Sequence, residues 1–123
     1  MKTPANHVVF SVAAAVVMNS AAMDITTYEK QRNEPSSSQR RGLLTIYLVG
    51  VGEGFKWANA ALAKQKQSLL FCASEKISLN ADNYVQVIDE ALASDRDAYL
   101  RMDFPVESIL LHGLQKKLSC GAK

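Results

Sequence analysis

The sequence predicts an all-α domain, a small bundle of about four helices stapled by one disulfide between Cys72 and Cys120. Three observations predict it. Apolar residues recur at three- and four-residue intervals through 41–66. Capping residues stand ahead of two further periodic segments. Two cysteines follow an export-type leader.

The leader is read first because it sets the redox compartment. Lys2 precedes an apolar run over 8–18, and Ser20-Ala21-Ala22 places small residues at −3 and −1 of a cut. Residues 1–22 therefore read as a secretory signal peptide cleaved after Ala22. The run falls short of the ~20 apolar residues that span a bilayer, so no stable membrane insertion is expected once it is removed. In an exported chain an even cysteine count reads as a bridge; two reduced, buried thiols are the alternative. Closing a loop of this length contributes roughly 4 kcal/mol on the chain-entropy estimate.

Residues 23–39 are polar and mixed. Asp24 and Thr26 suit the cap of a short turn through Ile25, Tyr28 and Glu29. Pro35 and Ser36-Ser37-Ser38 then break it. This stretch is expected to be a mobile leader ending in a helix cap near Ser38, with the helical domain over 40–123.

The segment 41–66 carries the strongest helical pattern, with Leu44, Tyr47, Leu48, Val51, Phe55, Ala58, Ala61 and Leu62 on one stripe. Thr45, Ile46, Tyr47 and Val49 would also suit a strand over 43–51, but the stripe continues past Gly54 into an alanine-rich stretch. Gly50, Gly52 and Gly54 interrupt the pattern, each at up to ~1 kcal/mol in a helix interior. Gly50 or Gly54 is the candidate for a close helix contact. Phe55 and Trp57 are assigned to the core or a helix contact.

Leu69-Leu70-Phe71 tacks the following turn onto the core. Asn80 caps a helix over 80–93, with Asp82 in its first turn and Ala81, Tyr84, Val85, Ile88, Ala91 and Leu92 inward. Ser94-Asp95 caps a short helix carrying Ala98, Tyr99 and Met102. Pro105 opens the last helix, whose Val106, Ile109, Leu110, Gly113, Leu114 and Leu118 face the core. Lys116 and Lys117 complement its C-terminal end.

Function classes narrow by exclusion. The chain has 14 basic and 12 acidic residues, a formal charge of +2. Its basic residues form only the dyads Arg40-Arg41 and Lys116-Lys117, so no nucleic-acid partner is expected. Asp82, Asp89, Glu90, Asp95, Asp97 and Asp103 read as charged helix faces, and His112 as a half-buried histidine. Zinc lacks a ligand set, and the glycines of 50–54 do not make a phosphate loop. No catalytic residue, cofactor or metal is expected: the reading is a protein that is not an enzyme and acts by binding.

The run Tyr47-Leu48-Val49-Gly50-Val51-Gly52-Glu53-Gly54, with the mid-chain Phe71-Cys72 and the late 114–120 segment, resembles the Rap1a/Tai family of type VI secretion immunity proteins. The resemblance spans about residues 40–120. It implies a small helical protein of the periplasm, paired as a homodimer, that binds a peptidoglycan amidase toxin and blocks its cleft. Tyr47, Gly50, Val51 and Gly54 match fold-serving positions of the family, and Cys72 and Cys120 its bridge. Family members commonly carry a proline soon after the first cysteine, where this chain has Ala73-Ser74-Glu75-Lys76, and end in Phe-Pro-Cys, where it has Leu118-Ser119-Cys120. The expected partner contact is Ser74, Glu75 and Lys76 with the helix start Asn80, Asp82 and Asn83. The alternative is a periplasmic holdase resembling the small acid-stress chaperones of enteric bacteria, which also pair an exported helical body with one disulfide.

Overall fold

A computed structural model describes residues 22–74 and 77–121. The signal-peptide reading of residues 1–22 falls, except for Ala22, outside the described residues. Four helices follow in order: α1 (Ile25–Arg32), α2 (Gln39–Lys64), α3 (Ala81–Arg101) and α4 (Val106–Lys117). The fold is the expected small all-α bundle, with Cys72 and Cys120 bridged. Helix α3 packs against both α2 and α4, and α1 packs against α2.

The core gathers side chains from every helix: Tyr28 from α1, Leu44 and Leu48 from α2, Tyr84 and Ile88 from α3, and Ile109, Leu110 and Leu114 from α4. Phe71, from the segment between α2 and α3, completes it. Two glycines set the helix spacing. A Cβ at Gly52 would collide with the Tyr84 ring, and one at Gly113 with the Val87 side chain. The close contact in α2 is therefore at Gly52, not at Gly50 or Gly54, both of which face open space.

The leader expectation for 23–39 is corrected. Asp24 caps α1 by accepting the Thr27 N–H at 2.6 Å, which also holds its carboxyl below the usual range. Ile25 and Tyr28, three residues apart, share one face and are both buried. The Tyr28 hydroxyl donates to Asp89 Oδ1 at 2.7 Å, and Arg32 donates to Asp89 Oδ2 at 2.9 Å. Burial and the neighbouring Asp89 carboxylate push the Tyr28 phenol up. Two apolar residues are too weak a pattern to signal a docked helix; the polar anchors on α3 are invisible in the local sequence.

The remaining boundaries follow local chemistry. Ser38 caps α2 through the Arg41 N–H at 3.1 Å. The expected break at Ser94-Asp95 is a kink within α3: Asp95 has φ −157° and ψ 56°, and its carboxylate accepts the Ala98 N–H at 3.3 Å. Trp57 is corrected too. It lies 74% exposed on the outer side of α2, whereas Phe55 packs against the core.

Candidate functional site

The segment after α2 is a strap held at several separated points. Lys66 adopts φ 55° and turns the chain back, with the Gln67 N–H donating to the Leu62 carbonyl at 2.9 Å. The strap then runs beside α2, where the Asn59 side chain stands in for a neighbouring strand. It accepts the Leu70 N–H at 2.7 Å and donates to the Phe71 carbonyl at 2.9 Å. Phe71 drives its ring into the core. The Cys72 N–H donates to the Leu118 carbonyl at 2.7 Å, and the Cys72–Cys120 bond ties the strap to the end of α4. At the far end Asn80 and Asn83 form a reciprocal capping box at 3.0 Å each.

Between the strap and α2 lies an open groove of about 840 Å³, lined among others by Lys56, Asn59, Ala63, Phe71, Ile77 and Leu79. Its floor is largely apolar. Lys56 stands at the rim, paired with Glu53 at 2.8 Å, and that carboxylate holds its ammonium in the charged form.

The six expected contact residues divide. Ser74 and Asp82 are exposed and neighbour the groove's open side along the chain. Asn80 and Asn83 hold the start of α3 with their side chains, so the Oδ1 atom of each is committed to the cap. Glu75 and Lys76 lie outside the described residues. Of the family-motif positions, Tyr47 and Val51 pack against the core, while Gly50 and Gly54 are exposed. Sequence reasoning missed Asn59 and Ile77. Asn59 had a signal: an asparagine within Trp57-Ala58-Asn59-Ala60-Ala61 is a poor helix former among good ones. Ile77, 44% exposed, had none.

Three of the acidic residues expected on helix faces have defined partners. Asp89 serves Tyr28 and Arg32, and Asp95 caps the second half of α3. Glu90 pairs with Lys117, a contact that keeps its carboxyl low. Among the described residues no group of histidine, cysteine and acidic side chains is placed to hold a metal ion, and no helix is long and apolar enough to cross a membrane.

What the geometry defines is a small, disulfide-stapled all-α protein with a pinned strap beside an open groove. Comparison with family models, curated proteins and solved structures finds no match to this chain.

Proposed function

We propose that this protein is a periplasmic immunity protein that binds a peptidoglycan amidase effector of a type VI secretion system and sterically blocks its cleft. The observation that carries the reading is the strap. It presents an irregular surface, and over residues 67–72 Asn59, the buried Phe71 ring and the disulfide hold it at several separated points. A pre-ordered surface loses little conformational freedom on binding, which favours tight occlusion of a cleft. The resemblance of the 47–54 and 71–72 motifs to Rap1a/Tai proteins supplies the partner class. The protein contributes no chemistry of its own in this reading and needs no cofactor.

The homodimer belongs to the same proposal. Leu43, Ile46, Val49 and Trp57 are 54%, 71%, 41% and 74% exposed on α2. Large apolar side chains exposed together on one helix are the kind of feature that marks an interaction surface. Gly50 and Gly54 sit within it with nothing near their Cβ positions, so packing inside the chain does not require them. A second copy crossing at Gly50 would use that space. Antiparallel pairing about Gly50 sets each Trp57 near the other copy's Leu43 and each Ile46 near its Gly54; a parallel pair would bring two Glu53 carboxylates together.

The test is calorimetric titration of the oxidised protein against a purified peptidoglycan amidase effector of a type VI secretion system, at pH 7. Nanomolar binding with loss of peptidoglycan cleavage is expected. No binding to a folded, active amidase overturns the pairing. The exposed α2 face favours one second reading, the acid-stress holdase. That reading expects dissociation and client holding near pH 2–3, as carboxylates protonate and the chain gains positive charge.

A further inference from the structure

Met23 sits where α1, α2 and α4 converge. Its carbonyl accepts the Val106 N–H at 2.8 Å, which fixes the residue against the first turn of α4. Its nitrogen faces two acceptors from distant helices: the Tyr47 hydroxyl at 3.3 Å and Glu107 Oε1 at 3.2 Å. Among the described residues Glu107 Oε2 is shut off from solvent and has no hydrogen-bond partner. As a peptide nitrogen, Met23 has one hydrogen to share among these oxygens. A covered carboxylate oxygen with no partner carries a desolvation penalty that native structures rarely leave standing.

The nitrogen concerned is the one that the expected cut after Ala22 would free. From this coincidence we infer that the Tyr47–Glu107 site is a receptor for the α-ammonium group of Met23, created when the leader is removed. In that cleavage, water adds across the Ala22–Met23 peptide bond in a signal peptidase. Ala22 leaves as a carboxylate and the Met23 nitrogen becomes an ammonium. The ammonium brings three donors and a positive charge to Oε1, Oε2 and the Tyr47 hydroxyl, so donors and acceptors match. Maturation thus completes the fold: the new terminus ties α1 to α2 and α4 through one charged contact.

The titratable groups around Met23 are Glu107 of α4, Tyr47 of α2, its neighbour Asp24, and Asp103 in the turn before α4, which shares a surface hollow with Ala22 and Asp24. Three of the four are acidic, and all favour a cation there.

The inference rests on the export reading, and its test separates the two. The full chain is expressed in a bacterium with its leader, and the oxidised product is analysed by intact mass. A terminus at Met23 is expected; a terminus elsewhere overturns the inference through its first step. With Met23 confirmed as the terminus, the α-amino group is titrated by NMR. It should titrate at least about one unit above the ordinary 7.7–8.0. Its stabilising effect should be full below that ordinary value and vanish as pH rises through the raised one.

A double-mutant cycle closes the argument. Glu107→Gln and Nα-acetylation should each lower the folded-to-unfolded ratio, by about tenfold on the scale of a partly buried charged contact. Together they should lower it little further. Additive effects, or an unshifted α-amino group, overturn the inference while leaving export intact.

Discussion

The two faces of α2 share a helix and nearly the same composition, yet they are built for opposite surroundings. On the inner face, Leu44 and Leu48 are fully buried and Gly52 admits the Tyr84 ring. On the outer face, Leu43, Ile46 and Trp57 stand in water, and Gly50 and Gly54 touch nothing. Glycine thus serves two ends in one helix. At Gly52 it removes a Cβ that the neighbouring helix leaves no room for. At Gly50 and Gly54 it flattens an exposed surface that nothing in the described residues covers. Apolar content alone does not distinguish these roles; only the neighbour does.

The inner face is the more sensitive to substitution. Leu48→Ala should cost roughly 2–5 kcal/mol, since the site is fully enclosed and collapses poorly; urea unfolding measures it. A loss below about 1 kcal/mol would mean the core around Leu48 is loosely packed. Gly52→Ala should cost roughly 1–3 kcal/mol by driving Tyr84 off its seat, and Tyr84→Ala in the same background should recover little, because it opens a cavity of its own.

Asn59, half-buried on the inner side of α2, clamps the strap. Asn59→Ala should cost about 1–2 kcal/mol, because it strands the Leu70 N–H and the Phe71 carbonyl, and it should raise hydrogen exchange at Leu70. Unchanged exchange there would show that the disulfide alone holds the strap. The smallest effect belongs outside. Gly50→Ala should stabilise the monomer by about 0.5–1 kcal/mol while weakening self-association measured by sedimentation. If it stabilises the monomer and leaves the assembly state unchanged, the outer face is not where copies meet.

Much of this architecture is legible in the chain. The caps at Ser38, Asn80 and Asp95 were readable because they are local: a short polar side chain reaches an N–H three residues on. The α2 stripe was readable because eight apolar residues repeat the helical period. Tyr28 was legible only as part of a short turn, because its anchor, Asp89, lies 61 residues away. Trp57 misled for a different reason. Large aromatic residues are usually buried, and the helical period places Trp57 on a face without saying whether anything covers that face.

The candidate site was legible in part. Its location beside Cys72 followed from the cysteine, and Asn80, expected as both cap and contact, does hold the cap together with Asn83. The clamp by Asn59 is a pairing of a helix side chain with backbone groups of a later segment, which no periodic pattern encodes.

By itself, the sequence determined the all-α class, the approximate helix boundaries and the choice of Cys72 and Cys120 as the bridge, because periodicity, capping and cysteine count act over short range or by simple elimination. Tertiary structure alone decided which glycine makes the close contact, that α1 belongs to the core, and that Tyr47 and Glu107 meet at Met23. Those outcomes depend on which surfaces face each other across the bundle. Shape, desolvation and hydrogen-bond stoichiometry between distant residues settle that question, and they arise only when the helices are packed.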